Sequence, residues 1–217
     1  ERFESRPFLE EQSLAPGISA RFMPAGHILG AAQIALNLDG RRLHFTGDLG
    51  RSSDALMNPP APFEGADVLV CESTYGNRRH DPRDPEDALV EIIGETVGRG
   101  GTVVIPAFAV GRAQALLFHL HRLKASGRLR NVPVFLDSPM AGRVLEVYDR
   151  HQDLFDDEAR RIWRGDRNPF RLPNLRVAVE VRDSQALNQR RGGVIIIAGS
   201  GMCNGGRIVH HLRHHLQ

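Results

Sequence analysis

The sequence predicts an α/β protein in two parts: a β-rich first part, then strands and helices around a mostly parallel sheet flanked by helices. Two observations predict this fold. Short strands joined by turns dominate as far as Tyr75, and apolar strands alternate with helical segments after Asp84. We place the boundary near residues 76–84, which divides the chain into residues 1–80 and residues 81–217.

The first part has no clear opening element over residues 1–20. Its first predicted strand is Gln33–Leu38, in which apolar residues alternate, and Asp39-Gly40 is typical of a hairpin turn. Leu43–Thr46 is the expected return strand. Val68–Cys71 is predicted to be a short buried strand that ends at the carboxylate of Glu72.

The second part begins with a helix capped by Asp84, with Pro85 at its first position and its end near Val97. Alternating elements follow. Strands are predicted at Thr102–Pro106, Val132–Leu136, Val177–Val181 and Val194–Ala198, and helices at Gly111–Leu123, Met140–His151 and from about Arg207. Strands that alternate with helices imply a parallel sheet.

Composition excludes several classes of protein. The 217 residues are 41% hydrophobic and carry a formal net charge of +2, and no run approaches the roughly 20 apolar residues that span a bilayer. The N-terminus lacks a signal-peptide core. We therefore expect no membrane partner and a cytoplasmic location. Cys71 and Cys203 adjoin apolar runs and are predicted to be buried free thiols of a reducing compartment.

Three polar residues at the ends of β elements are candidates for chemistry. His27 lies between glycines ahead of a strand, and Asp48 follows an apolar strand. A histidine and an aspartate presented in this way could hold zinc, although each could also be a turn or structural residue. Glu72 could orient a proton-transfer group beside a metal, or cap a turn.

The glycine-rich segment Gly199–Gly206 joins an apolar strand to a helix. Glycines there would let backbone N–H groups approach a phosphate at the helix N-terminus. The candidate phosphate or RNA contacts are Ser200, Gly201, Gly205, Arg207 and Arg112. Helix packing is the alternative role for the glycines.

Four histidines near the end of the chain resemble a metal cluster, but their spacing on a helix gives two adjacent stripes. We predict surface or interface residues for His210, His211, His214 and His215. His44 alternates within a strand and is predicted to be structural.

Six segments in order resemble the β-CASP branch of the metallo-β-lactamase superfamily: PAGHILGAAQ, FTGDLGR, ESTYGNRRH, PAFAVGRAQALL, LDSPMAGRVLEVYDRH and IIIAGSGMCNGGRIVHHL. Within that branch they are similar to the polyadenylation-factor endonuclease and its bacterial and archaeal relatives. The resemblance implies that residues 1–80 are the C-terminal part of the first segment of a metallo-β-lactamase αββα domain. Residues 81–217 would then be a nearly complete β-CASP domain.

The resemblance also implies roles for individual residues. His27 matches a zinc ligand, Asp48 matches the carboxylate that bridges two zinc ions, and Glu72 matches a residue that supports a proton-donating histidine. A glutamate at that last position favours RNA over DNA, and the segment Gly199–Gly206 matches a lining of the substrate cleft. The family's His-x-His-x-Asp-His motif and two later histidines have no counterpart in this sequence. We therefore expect an internal portion that is inactive alone and holds zinc weakly or not at all.

The implied function is hydrolysis of single-stranded RNA by two zinc ions in a cleft between two domains. Arg112 and Arg207 are candidate phosphate contacts there. The alternatives are a catalytically inactive RNA-binding paralogue, a small-molecule metallo-hydrolase and, more weakly, a DNA nuclease. Endonuclease and exonuclease action stay open, as does formation of a homodimer.

Overall fold

A computed structural model describes residues 3–165, 168–190 and 192–216. The chain divides into two compact units. Unit 1 comprises residues 1–80 with 154–156, and unit 2 comprises residues 81–153 with 157–217. Among the described residues, no helix has the length and apolar character needed to cross a bilayer.

Unit 1 contains a five-stranded sheet in the order β1-β2-β3-β4-β5. Its strands are β1 (Glu11–Ala15), β2 (Ile18–Pro24), β3 (Ala32–Leu38), β4 (Arg41–Phe45) and β5 (Val68–Val70). Neighbouring strands are antiparallel from β1 to β4, and β5 runs parallel to β4. The predicted hairpin turn is confirmed, because Asp39 and Gly40 have φ values of 48° and 87° between β3 and β4.

Two predictions of burial were wrong: the buried strand at Val68–Cys71 and the buried thiols of Cys71 and Cys203. β5 is exposed, with 41% of Val68 and 50% of Val70 accessible to solvent. It is the last strand in the order of its sheet. An apolar run of residues therefore did not guarantee that other parts of the chain pack over the strand. Cys71, which follows β5, and Cys203, in the glycine-rich turn, are also exposed rather than buried.

Unit 2 alternates helices and strands, and its four strands lie in the order β6-β9-β7-β8. The strands are β6 (Thr102–Pro106), β7 (Val134–Asp137), β8 (Leu175–Val177) and β9 (Val194–Ala198). The helices are α1 (Pro85–Gly98), α2 (Arg112–Ala125), α3 (Pro139–Arg150), α4 (Asp157–Arg164), α5 (Val181–Asn188) and α6 (Arg207–His215). A short 3₁₀ turn spans Gln152–Leu154. All three strand pairings are parallel, which confirms the predicted sheet.

Buried apolar strands and capped helices account for this architecture. Every residue of β7 and β9 is buried, as expected for central parallel strands covered on both faces. The Asp84 side chain accepts hydrogen bonds from the N–H groups of Glu86 and Asp87, and Pro85 starts α1, as predicted. The carboxyl ends of β6, β7 and β9 therefore lie at one edge of a rigid sheet, next to the turn that leads into α6.

The strand predicted at Val177–Val181 is displaced. β8 ends at Val177, and Val181 instead begins α5. The cause is a reciprocal cap, in which Glu180 and Asp183 each accept from the other's backbone N–H. This local polar pairing outweighs the β propensity of the three valines in the segment.

Candidate functional site

His27, Asp48 and Glu72 lie in three loops at one end of the unit 1 sheet. The last residue of β2 pairs with the first residue of β3, and β3 begins beside the end of β4. β5 is parallel to β4, so both strands end at that same edge. The strand register therefore gathers the His27 loop (25–31), the Asp48 loop (46–50) and the Glu72 loop (71–74).

Hydrogen bonds join these loops to one another. The Gly50 N–H donates to the Ala25 carbonyl oxygen at 2.8 Å, which ties the Asp48 loop to the His27 loop. The Leu49 N–H donates to Glu72 Oε1 at 2.9 Å. The Glu72 N–H donates in return to Thr46 Oγ1 at 3.1 Å. The Asp48 loop is thus held from both sides.

Close backbone contact makes Gly50 a demanding position. An ideal Cβ on Gly50 would overlap the carbonyl group of Gly26 and lie 2.8 Å from the backbone nitrogen of His27. Only a residue without a side chain lets the two loops approach this closely. Gly50, the second glycine of the FTGDLG motif and two residues after Asp48, therefore has a steric role.

Glu72 acts in this structure as a hydrogen-bond acceptor for backbone groups. The Leu49 N–H bond holds the pKa of its carboxyl below the usual value. Hydrogen bonds from the Thr74 hydroxyl and N–H act in the same direction, and a nearby His27 contributes more weakly. An ionised Glu72 can accept both N–H bonds at once, so it positions the loop that carries Asp48.

His27 and Asp48 are exposed at the sheet end, where a ligand could reach them. Zinc would suit a histidine nitrogen and a carboxylate oxygen, but a catalytic zinc takes about three protein ligands. Within the part of the chain that the structure describes, no three His, Cys, Asp or Glu side chains are grouped so that they could hold a metal ion. These two donors therefore do not complete a zinc site by themselves.

The turn Gly199–Gly206 closes on itself before α6. The Ile208 N–H donates to the Gly199 carbonyl at 2.8 Å, so this early helix donor already has a partner. Ser200 Oγ donates to Asn204 Oδ1 at 2.8 Å. An ideal Cβ on Gly201 would clash with the Phe108 ring, whereas one on Gly205 would meet nothing within 4 Å. Packing thus explains Gly201, and Gly205 keeps open space around it.

Arg207, predicted as a phosphate contact, is bonded to protein groups in this structure. Its Nη1 donates to Asp137 Oδ1 at 2.7 Å and to the Ala178 carbonyl at 2.9 Å, and its Nη2 donates to the Val179 carbonyl at 2.9 Å. These bonds give the guanidinium a structural role between α6 and the sheet. Arg112 is exposed, with its guanidinium carbon 5.9 Å from the centre of the Phe108 ring, and is accessible to a phosphate.

A buried polar network in unit 2 was not predicted. Asp137 at the end of β7 and His211 on α6 are both 0% exposed, and His211 Nε2 lies 2.6 Å from Asp137 Oδ2. Ser184 Oγ also donates to Asp137, and His211 Nδ1 lies 2.8 Å from Asn188 Oδ1. The prediction of a surface or interface position was wrong for His211. The sequence offered one signal for this position: Arg207 lies four residues before His211, so the two side chains share one face of the helix.

The other histidines of α6 differ from one another. His210 and His214 are exposed, as predicted, while His215 is half-buried and its ring stacks on His211 with centroids 6.3 Å apart. Burial lowers the pKa of His215, and the neighbouring His211 and His214 add to the effect. His44 is buried and its Nε2 lies 2.9 Å from Gln33 Oε1, which confirms a structural role.

Comparison with known proteins agrees with the motifs. Residues 113–217 match the Beta-Casp domain. The chain is 43% identical over 201 residues to "Ribonuclease TTHA0252" of Thermus thermophilus, covering 92% of this chain and 46% of that protein. It is 32% identical over 218 residues to "RNase J-like protein" of Methanocaldococcus jannaschii, covering 98% and 50%.

A third relative is "Endoribonuclease YSH1" of Saccharomyces cerevisiae, 34% identical over 199 residues, which are 88% of this chain and 25% of that protein. The chain thus spans about half the length of the first two relatives and a quarter of the third. The domain match, the ordered motifs and the parallel sheet of unit 2 lead to one assignment: residues 113–217 form a Beta-Casp domain.

Proposed function

We propose that the complete protein hydrolyses phosphodiester bonds of single-stranded RNA. One observation carries the proposal: His27, Asp48 and Glu72 lie in loops that hydrogen bonds tie together at one end of a sheet. The relatives named as ribonucleases support RNA as the substrate class. Cytoplasmic location and formation of a homodimer stay predictions.

We further propose that the activity depends on zinc, which would supply an activated water and stabilise charge on the phosphate when bound. His27 and Asp48 are the donors that this chain would contribute. Because a catalytic zinc takes about three protein ligands, the remaining donors would come from residues outside this sequence. The 217-residue chain alone would then be inactive and would hold zinc weakly or not at all.

The chain's own residues would hold the site in shape and bind the substrate. Glu72 would fix the Asp48 loop through the Leu49 N–H, and Gly50 would allow that loop to contact the His27 loop. In unit 2, the exposed Arg112 and the backbone around the half-buried Gly205, which has open space beside it, are suited to a phosphate. Arg207 would contribute indirectly, by fixing the start of α6.

The test uses the complete protein with a labelled single-stranded RNA and a DNA of the same sequence. We expect cleavage of the RNA, loss of cleavage on removal of zinc with a chelator, and recovery when zinc is added. Asp48→Asn should lower the rate by at least about a hundredfold, a loss of about 2.7 kcal/mol of transition-state stabilisation. Glu10→Gln, an exposed carboxylate before β1, is the matched control and should cleave normally.

The possible outcomes separate the alternatives. Tight RNA binding without cleavage by the zinc-loaded protein would indicate the inactive RNA-binding paralogue. Faster cleavage of the DNA would indicate a DNA nuclease. An Asp48→Asn protein that keeps both its zinc and full activity would refute the assignment of the site to these loops.

A further inference from the structure

An exposed aromatic and basic cluster lies beside the candidate site in unit 1. The rings of Tyr75 and His80 are tilted against each other with centroids 5.1 Å apart. Arg51 Nη2 lies 3.2 Å from His80 Nδ1. We call these three residues the Tyr75 cluster.

The chain itself places this cluster next to the catalytic candidates. Tyr75 directly follows the Glu72 loop, and Arg51 directly follows the Asp48 loop. Those two loops are bonded to each other through Leu49 and Glu72 at 2.9 Å. The contact between Arg51 and His80 is thus a second link between the segments that follow these two loops.

Solvent exposure distinguishes the Tyr75 cluster from core packing. Tyr75 is 52% exposed although it is a large aromatic residue, and Arg51 and His80 are exposed as well. Arg78 and Arg79 in the same turn add two further exposed cations. An exposed ring surrounded by basic side chains is the combination by which proteins hold single-stranded nucleic acid: the bases stack on the ring and the cations contact phosphates.

We propose that the Tyr75 cluster is a nucleotide subsite for the RNA strand next to the scissile phosphodiester. The Tyr75 ring stacks on one base, His80 contacts that ring at a tilt, and Arg51 contacts the adjoining phosphate. The inference rests on the proposed function, because it names a binding site for the same substrate. Stacking tolerates every base, so the subsite would hold the strand without strong sequence preference.

The experiment measures binding by the complete protein carrying Asp48→Asn, so that the RNA is not consumed. The probe is a fluorescein-labelled twelve-nucleotide RNA, compared with a set in which one position at a time is abasic. Tyr75→Leu should weaken binding of the intact RNA by about tenfold, since a stacked base contributes about that factor or more. At one abasic position the same substitution should have almost no further effect. Tyr75→Phe keeps the ring and should bind as the parent does.

The role of Arg51 is tested separately, by the salt dependence of RNA binding. Arg51→Gln should reduce the steepness with which affinity falls as salt rises, by about one unit in the log–log slope, because one phosphate contact is lost. Arg41→Gln at the start of β4 and Phe3→Leu, which is 91% exposed, are the matched controls and should leave binding and slope unchanged.

Two results would overturn the subsite. Tyr75→Leu could bind intact RNA as tightly as the parent, or it could lose the same factor on every abasic RNA, which would mean a loosened loop rather than a lost stack. If the protein without Asp48→Asn still cleaves RNA, only the subsite has failed. If that protein neither binds nor cleaves RNA, the proposed function fails and the subsite fails with it.

Discussion

Asp137 shows how a single buried carboxylate can organise one end of a sheet. It is 0% exposed and accepts from Arg207, His211 and Ser184. Burial alone would raise its pKa, but these hydrogen bonds outweigh that effect and the pKa is lowered. The ionised form is therefore part of the folded structure.

Replacing Asp137 by Asn should destabilise unit 2 by about 3–5 kcal/mol, the usual cost of removing one partner from a buried ion pair. Trp163, the single tryptophan, is buried in unit 2 and reports its unfolding by fluorescence. Because the folded pKa is lowered, the stabilisation is complete above the unfolded pKa of about 3.9 and is lost as the pH falls through the folded value. The difference in the free energy of unfolding between the parent and Asp137→Asn should thus be large at pH 7 and should shrink below about pH 4. A difference that is constant with pH would exclude ionisation of Asp137 as its cause.

Gly50 is the second position where one residue decides a local structure. Gly50→Ala should push the Asp48 loop away from the His27 loop, because the added methyl overlaps Gly26. We expect the free energy of unfolding to fall by about 1–3 kcal/mol, as for other overpacked sites. Hydrogen–deuterium exchange should locate this loss of stability at the beginning of β3 and the end of β4. Gly94→Ala, in an open position on α1, is the control and should not destabilise the protein.

At the scale of elements, helix caps position the turns that follow the strands. Ser138 follows β7 directly, and its Oγ accepts from the Ala141 N–H at 3.2 Å to start α3. Ser138→Ala should cost about 1 kcal/mol, whereas Ser138→Thr should keep most of the cap. Thermal unfolding followed at Trp163 would measure both. Equal losses for the two substitutions would mean that the hydroxyl is not the stabilising group.

The sequence predicted elements well where local chemistry and tertiary burial agree. β6 and β9 were predicted to the residue, because each combines β-branched residues with flanking turns. β1 was missed, since its residues EQSLA are largely polar and exposed. α4, with sequence DEARRIWR, also lacks a long apolar stripe. β1 forms by pairing with the neighbouring strand β2, and α4 by burying side chains such as Trp163, so neither element shows an apolar pattern of its own.

In the candidate site, too, some features could be predicted from the sequence and others could not. The strand-end positions of His27, Asp48 and Glu72 could be predicted, because polar residues after apolar strands are visible in the sequence. The bond from Leu49 to Glu72 could not, since it depends on the parallel register of β4 and β5. The partners of Arg207 were equally hidden, because Asp137 lies 70 residues earlier in the chain.

At the scale of the whole molecule, one face of the unit 1 sheet stands out by its apolar character. The strand register places six side chains on that face: Ile34, Leu36, Leu43, Phe45, Val68 and Val70. Three of them are substantially exposed, at 37% for Phe45, 41% for Val68 and 50% for Val70. Contiguous apolar surface of this kind is a site of association or a liability for aggregation.

We therefore expect the 217-residue chain, prepared by itself, to bind a hydrophobic dye such as anilinonaphthalene sulfonate while it is still folded. Phe45→Ser combined with Val70→Ser should remove most of the dye fluorescence, because it interrupts the face at its most exposed strands. Ile92→Ser, an exposed residue on α1, is the control and should change the signal little. Circular dichroism must show the same secondary structure in all three proteins, so that the dye reports the face and not a loosened core. If the double substitution leaves dye binding unchanged, the apolar surface lies elsewhere on the chain and this face is not a site of association.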